Sequence, residues 1–173
     1  MERGAGVPTV DPLQEHGAFY RSYAAVLRTK PGRWIGINVA ARVDPLLLRL
    51  TGGRLGVGIV FPSANLTTTG AKSGARRTST VLYFSDDDDV ILVASSFGRE
   101  KHPAWYHNLK ANPGAQLEHG GRSGDYRAVE VEDDAERDRL FALADRIYPG
   151  YADYRERTAK IGRRIPIMRL KRV

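Results

Sequence analysis

Cysteine is absent from this 173-residue chain. Its absence excludes disulfide bonds, thiol nucleophiles and thiolate zinc sites. It also fits a reducing compartment, so we expect a cytoplasmic protein. Long apolar runs are missing too: the longest uncharged stretch, residues 55–71, is interrupted by glycines, Pro62 and three threonines, which makes it a poor membrane span. The start of the sequence lacks the basic segment and apolar run that mark a signal peptide.

Acidic residues are too few to balance the basic ones. Lysine and arginine number 27 against 20 aspartates and glutamates, which gives a formal net charge of +7. This excess predicts an anionic partner, and a phosphorylated cofactor, a nucleic acid and an anionic membrane all meet that description. The imbalance is greatest from Arg28 to Arg54, where Asp44 is the only acid. With Trp34 interleaved, this stretch is suited to an anionic membrane surface; the alternative is helices packed on the domain with their arginines in water.

The first third of the chain has helical patterns. Residues 1–12 are polar and rich in glycine and proline, which predicts a loose arm. Three helices are predicted next, over Leu13–Leu27, over Trp34–Val43, and from Asp44-Pro45 through Leu50. We therefore assign residues 1–54 to a helical N-terminal extension and residues 55–173 to the main domain.

Strand patterns begin at Leu66 and continue to the C-terminus. The predicted strands include two hairpins and a last strand in which Pro166 indicates an edge position or a strand start. These strands are Thr78–Phe84 with Val90–Ala94, Ala115–His119 with Tyr126–Val131, and Arg164–Lys171, and helices are predicted at Pro103–Ala111, Asp133–Ile147 and Tyr151–Ala159. About six short strands joined by hairpins predict an α+β protein whose antiparallel sheet closes as a barrel.

No metal site is predicted. Asp86–Asp89 lack the spacing and the glycine of a calcium loop, so we expect them to form a solvated turn. His102 and His107 are five residues apart, which does not place two ligands on one helix face.

The most informative motif is the segment from Leu66 to Thr78. Its small residues expose backbone N–H groups, while Lys72, Arg76 and Arg77 supply positive charge and Thr78 and Ser79 supply hydroxyls. Such a segment is suited to a phosphate or a carboxylate. The alternative is a solvated basic turn.

Two further groups could serve a ligand. Ser95 and Ser96 end a predicted strand just before Gly98, where a ligand can reach backbone and hydroxyl groups; no Gly-x-Ser-x-Gly elbow is present to suggest a serine hydrolase. Three tyrosines at three-residue intervals, Tyr148, Tyr151 and Tyr154, can wall a pocket or pack as part of the core. Trp105 and Tyr106 are similarly core residues or neighbours of a planar ring.

Three segments together resemble a known family: residues 66–77 (LTTTGAKSGARR), 91–113 (ILVASSFGREKHPAWYHNLKANP) and 148–166 (YPGYADYRERTAKIGRRIP). In order and spacing they resemble the deazaflavin-dependent nitroreductases of actinobacteria. The resemblance runs from about residue 60 to the C-terminus. It implies a six-stranded split β-barrel, like those of FMN-binding reductases, and binding of coenzyme F420, an 8-hydroxy-5-deazaflavin with a phosphate and a polyglutamate tail.

The resemblance also implies site residues. Ser95 corresponds to the family's catalytic serine beside the deazaflavin, and Tyr148, Tyr151 and Tyr154 correspond to its substrate-side tyrosines. The implied cofactor-binding residues are Ala71, Lys72, Ser73, Arg77, Thr78, Ser79, Thr80, Val81, Leu82, Val93, Ala94, Ser95, Ser96, Ala104, Trp105, Tyr106, His107, Asn108 and Tyr151. Many relatives carry a different residue at Ala71, Thr80 and Ser96, and some carry a pocket tyrosine at Leu82, so the acceptor stays open.

The resulting hypothesis is an oxidoreductase that transfers a hydride from reduced F420 to a quinone, enone or nitro-type acceptor. The alternatives are an FMN-dependent reductase, a non-catalytic F420 carrier, or a basic membrane-surface protein. We expect a small-molecule substrate such as a lipid quinone, a homodimer, no nucleic-acid partner, and peripheral contact of the N-terminal helices with the inner face of the plasma membrane.

Overall fold

The computed structural model describes residues 2–3, 6–14, 17, 22, 25, 29 and 61–173. The helices predicted between Leu13 and Leu50, and with them the basic stretch from Arg28 to Arg54, lie almost entirely outside the described residues. The described strands are β1 (Glu2–Arg3), β2 (Ser63–Thr69), β3 (Arg76–Asp86), β4 (Asp89–Val93), β5 (Gly114–His119), β6 (Arg122–Glu130) and β7 (Ile167–Arg172). The described helices are α1 (Ala104–Ala111), α2 (Asp134–Ile147) and α3 (Gly150–Ala159).

Strands β2 to β7 form a closed barrel. The strand order is β6-β5-β2-β3-β4-β7, and β7 pairs with β6 to close the ring. All six of these pairings are antiparallel. The short β1 adds to β6 in parallel. The predicted six-stranded antiparallel barrel is therefore confirmed.

The barrel interior is filled by alternate residues of the strands. Leu66, Leu92, Leu117 and Leu170 are all fully buried there, because successive strand residues point to opposite faces of the sheet. Helix α1 contributes Trp105 and Leu109 to this same cluster. It therefore covers the end of the barrel at which β2 and β4 finish.

The segment of residues 6–10 packs against the other end of the barrel. Tyr83 donates a hydrogen bond from its hydroxyl to the Pro8 carbonyl at 3.0 Å, and the Val7 N–H donates to the Tyr126 hydroxyl at 3.1 Å. Burial raises the pKa of Tyr83 to about 12, so its phenol stays protonated as a donor. The prediction of a loose arm is wrong for these residues, because their backbone groups are satisfied by barrel side chains 75 or more residues away.

Close backbone contact makes the packing of this segment depend on glycine. A Cβ atom at Gly124 would lie 2.9 Å from the Gly6 Cα, and Gly6 itself has a φ of +71°. Neither position accepts a larger residue without a shift of the chain.

Helices α2 and α3 pack on the outside of the barrel. Asp133 caps α2 by accepting a hydrogen bond from the Glu136 N–H at 2.8 Å, an arrangement typical of helix starts. Leu140 and Phe141 of α2 are fully buried against a second apolar cluster that includes Phe84 and Ile91 from the outer faces of β3 and β4. Among the described residues, no helix is long and apolar enough to cross a bilayer.

The predicted solvated turn at Asp86–Asp89 is partly wrong. Arg139 donates two hydrogen bonds to Asp86, at 2.9 and 2.7 Å, and Arg169 pairs with both Asp86 and Asp89. Hydrogen bonds from Arg139 hold the pKa of Asp86 below its usual value. The turn therefore anchors α2 and β7 through ion pairs, and only Asp87 and Asp88 are exposed.

Several element boundaries differ from the predicted ones. Strand β3 begins at Arg76, so Arg76 and Arg77 lie on the strand and not in the loop before it. Strand β6 begins at Arg122, and the turn before it consists of two glycines in positive φ. Strand β7 begins at Ile167, directly after Pro166, and not at Arg164. Because β7 has a neighbouring strand on each side, Pro166 marks the start of a strand and not an edge position.

Candidate functional site

Three of the predicted site segments meet at the α1 end of the barrel. Strands β2 and β4 are both antiparallel to β3, so the turn after β2 and the loop after β4 leave the barrel at the same end. The Asn108 side chain of α1 accepts a hydrogen bond from the Ala71 N–H at 3.0 Å, which places α1 against the first of these segments.

The turn of residues 70–75 carries exposed positive charge. It is closed by bonds from the Gly70 N–H to the Ala75 carbonyl at 2.8 Å and from the Gly74 N–H to the Gly70 carbonyl at 2.9 Å. Lys72 and Ser73 are exposed at its tip. No described carboxylate pairs with Lys72 or with Arg77, so these cations are not neutralised within the described part of the chain. Such a turn can bind an anion.

The outer face of β3 changes from polar to apolar along its length. Arg76, Thr78, Thr80 and Leu82 alternate onto this face. Thr78 shares a hydrogen bond with Thr67 at 2.9 Å, Thr80 donates to Asn65 at 3.2 Å, and Arg76 donates to Gln116 at 3.2 Å. Leu82 packs against the outer apolar cluster. The seven residues from Arg76 to Leu82 span about 20 Å.

The remaining predicted residues of β3 lie on the opposite face. Val81 is buried in the barrel interior, so its side chain faces away from the outer surface. Arg77 and Ser79 alternate onto the same face as Val81. Arg77 lies across from Thr68, close to α1, where its side chain is exposed.

The loop after β4 places Ser95 beside the apolar end of that outer face. Phe84 pairs with Ile91 and Tyr83 with Leu92, and continuing this register brings Leu82 alongside Val93. Ala94 is fully buried, whereas Ser95 and Ser96 are half-buried. Ser96 and Phe97 both have positive φ, 52° and 56°, which is uncommon for residues other than glycine.

Helix α1 presents its five predicted residues in different ways. Trp105 is in the barrel core and Asn108 is buried beneath the turn of residues 70–75. Ala104 and His107 are exposed. Tyr106 donates its hydroxyl hydrogen bond to Glu130 at 3.1 Å. The structure thus favours the core role for Trp105. Asn108 supports the turn of residues 70–75 through its hydrogen bond with Ala71.

The three tyrosines form one buried cluster. Tyr148, Tyr151 and Tyr154 contact one another edge-on or tilted, with ring centroids 5.5 to 6.2 Å apart, and the Tyr148 and Tyr154 hydroxyls are 3.2 Å apart. Burial, and then the neighbouring phenols, raise the pKa of Tyr154 above its usual value. Gly150 is required here, because a Cβ on it would lie 2.3 Å from the Tyr148 ring.

Arg163 contacts the candidate site in a way that the sequence patterns did not reveal. It follows α3 and donates hydrogen bonds to the carbonyls of Ala94, Ser95 and Arg99, at 2.7, 3.0 and 2.6 Å, and to His102 Nδ1. The available signal was Gly162, which has a φ of +67° and lies in the turn after α3, immediately before Arg163. The partners of Arg163 lie more than 60 residues away in sequence, which no local pattern indicates.

The order of these surfaces matches the chemistry of a phosphorylated ring cofactor. A cationic turn is followed by threonine hydroxyls on β3 and then by Leu82 and Val93 beside Ser95. An anionic tail, a polar linker and a planar ring would meet suitable groups in that order. The fold and these surfaces together define a barrel of the class that binds such cofactors.

Comparisons with known proteins identify the class more closely. The family described as F420H(2)-dependent quinone reductase matches residues 37–171, and the chain belongs to that family. An F420H2-dependent quinone reductase of Mycobacterium tuberculosis is 35% identical over 147 residues, which cover 81% of this chain and 97% of the relative.

Solved structures agree with this assignment. An F420H2-dependent reductase is 38% identical, with a TM-score of 0.57, over 64% of this chain and 94% of its own. A second structure, described as a domain-swapped dimer, is 33% identical, with a TM-score of 0.59, over 82% of this chain and all of its own. The predictions of an F420-dependent oxidoreductase family and of its cofactor are confirmed.

Proposed function

We propose that this chain reduces a quinone with F420H2 at the α1 end of the barrel. The observation that carries the proposal is the change from cationic to hydroxylated to apolar surface along the outer face of β3, which ends beside Ser95. The quinone is proposed from the family to which the chain belongs.

Binding is assigned to groups that the structure leaves exposed or half-buried. Lys72 and Arg77 would hold the phosphate and carboxylates by charge-assisted hydrogen bonds, with Arg76 also in reach of an anion on the outer face. Thr78 and Thr80 would offer hydroxyls. Ala71 would act indirectly, since Asn108 already accepts the hydrogen bond from its N–H.

The cofactor, when bound, supplies the hydride, and the protein supplies position and polarity. Ser95 would donate a hydrogen bond at the ring end of the site, and Leu82 and Val93 would exclude water from it. The tyrosine cluster would form the wall on the acceptor side. Because Tyr148 and Tyr154 are both buried and one hydroxyl donates to the other, we assign the proton that completes quinol formation to water.

Separate titrations with F420 and FMN test the proposal. We expect micromolar binding of F420, weaker binding of FMN, and reoxidation of F420H2 by a soluble quinone, followed by its absorbance. Tight FMN binding without F420 binding would identify an FMN-dependent reductase. F420 binding without reoxidation by any member of a quinone, enone and nitro-compound panel would identify a carrier.

The assembly and membrane predictions rest on residues outside the described part or on relatives. A homodimer is proposed because a related structure is a domain-swapped dimer, and sedimentation equilibrium tests it.

Peripheral membrane contact through residues 28–54 also stays a prediction. So does the assignment of residues 1–54 to a separate helical extension. Salt-sensitive co-sedimentation with anionic vesicles would support the membrane contact, and equal binding to neutral vesicles would contradict it.

A further inference from the structure

We propose that Arg163 is a positioning residue, which holds the Ser95 loop (residues 94–102) in the conformation that receives the deazaflavin ring. This inference rests on the proposed function, which places the ring beside Ser95. No pattern in the sequence pointed to Arg163. The inference rests on its hydrogen bonds, on the backbone it holds and on the way α3 ends.

The guanidinium of Arg163 joins both ends of the loop. It donates to the Ala94 and Ser95 carbonyls at the beginning and to the Arg99 carbonyl and His102 Nδ1 at the end. A second N–H also lies 3.1 Å from His102 Nδ1. All five guanidinium N–H groups are therefore used. A lysine has three donors on a single nitrogen and cannot span four acceptors in this way.

The backbone between these anchor points is strained. Ser96, Phe97 and Gly98 are three consecutive residues with positive φ. Phe97 and Ser96 carry a side chain in that region, which is unfavourable for an L-residue. A loop of this kind keeps its shape only when contacts on both sides hold it, and Arg163 supplies the contacts from the barrel side.

Helix α3 supplies the contacts from the other side. A Cβ at Gly98 would lie 3.1 Å from the Arg157 guanidinium and 3.2 Å from the Tyr154 ring. Phe97 lies edge-on to Tyr154, with ring centroids 6.5 Å apart. The loop is thus held between Arg163 and the tyrosine cluster, and Ser95 is fixed where these two sets of contacts meet.

The end of α3 fixes where Arg163 is placed. The Arg163 N–H donates to the Thr158 carbonyl at 2.9 Å and the Gly162 N–H donates to the Ala159 carbonyl at 3.1 Å. Together with the φ of +67° at Gly162, these two bonds form a Schellman motif. The residue after the glycine is turned back toward the barrel, and in this chain that residue is Arg163.

The first test measures the loop without cofactor. Hydrogen exchange at residues 94–101 should be at least about tenfold faster in Arg163→Gln and Arg163→Lys than in the unmodified protein, as expected from the loss of a hydrogen bond to a charged group. Arg164→Gln is the matched control, because the neighbouring Arg164 pairs with Asp134 and does not contact the loop. Unchanged exchange in both Arg163 variants would overturn the proposal.

The second test asks whether the loop positions the cofactor. In Arg163→Lys, F420 affinity and kcat at saturating cofactor should each fall about tenfold, while the salt dependence of F420 binding should stay unchanged because the turn of residues 70–75 is intact. A variant that only unfolds more readily would show normal affinity and kcat per folded molecule, and that result would contradict positioning.

A third variant covers the case in which Arg163→Gln fails to fold. Gly162→Ala keeps the guanidinium but strains the backbone that places it, and it should give faster loop exchange with weaker F420 binding. Failure of the proposed function is distinguishable, since the unmodified protein would then not bind F420. In that case, faster loop exchange in these variants would still support the conclusion that Arg163 holds the Ser95 loop, and unchanged exchange would refute it.

Discussion

The side-chain oxygen of Asn108 accepts a hydrogen bond from the Ala71 N–H at 3.0 Å, across 37 residues of sequence. Its amide nitrogen donates to the Thr68 hydroxyl at the same distance. One buried side chain therefore ties α1 to both β2 and the cationic turn. This contact explains why a site of dispersed segments has a defined shape before any ligand binds.

Replacing Asn108 with leucine should release that turn. Buried Thr68 loses its hydrogen-bond donor, so we expect a loss of about 1–3 kcal/mol in the free energy of unfolding. F420 affinity should fall as well, because the turn carries Lys72. Urea unfolding and F420 titration measure the two effects. Asn112→Leu is a suitable control, since Asn112 makes a longer contact of 3.5 Å with the Thr69 carbonyl; an equal loss in both variants would contradict this role for Asn108.

Lys72→Ala should weaken F420 binding about tenfold and leave kcat at saturating cofactor nearly unchanged. The expected size is that of one charge-assisted hydrogen bond, and the anchor is remote from Ser95 along β3. The difference from the unmodified protein should shrink as salt is added. Lys160→Ala is the control, because Lys160 pairs with Glu156 on the exposed side of α3. A fall in kcat without a change in affinity would place Lys72 at the reaction itself.

Removing the hydroxyl of Tyr148 or of Tyr154 should have the same effect. Tyr154→Phe removes the 3.2 Å hydrogen bond to Tyr148, so it should cost about 1 kcal/mol of stability and reduce kcat less than tenfold. Tyr148→Phe should behave alike. A loss of about 10²–10⁴-fold in kcat from either change is the size expected for a general acid, and it would replace water as the proposed proton donor.

Local patterns predicted most of the barrel and its hairpins. The β3–β4 hairpin was visible because β-branched and aromatic residues flank four aspartates, and α1 because proline precedes its first turn. The network of Asp86 with Arg139 and Arg169 was not visible, because its members come from three distant segments. The packing of residues 6–10 was missed for the same reason: it depends on Gly124 meeting Gly6, and glycine-rich sequence by itself predicts flexibility.

The candidate site was predicted as a set of segments but not as a surface. The family resemblance implied that every residue from Arg77 to Leu82 binds the cofactor. Strand alternation in the structure divides them, so that Thr78, Thr80 and Leu82 share the outer face while Val81 is in the core. Arg76, which was predicted to lie in the basic loop, joins that outer face because β3 begins two residues earlier than predicted.

The hydrogen bond from Arg163 to His102 predicts that the Ser95 loop loosens in mild acid. His102 Nδ1 must be unprotonated to accept this bond. Burial, and then the charges of Arg163 and His107, lower the pKa of His102, against a smaller opposite effect of Glu130; Tyr106 also lies beside its ring. Since this pKa is lower in the folded protein than in the unfolded chain, neutral His102 stabilises the fold above about pH 6.5, and that contribution declines as the pH falls below it.

Protection factors of residues 94–101, corrected for intrinsic exchange, should therefore fall between pH 7.5 and pH 5. His102→Gln supplies an acceptor that does not titrate in this range, so it should remove most of the pH dependence. His119→Gln, at the opposite end of the barrel and bonded to the Ser63 carbonyl, should keep it. Equal pH dependence in the His102 variant and the unmodified protein would show that another group controls the loop, because the glutamine side chain cannot gain a proton in this pH range.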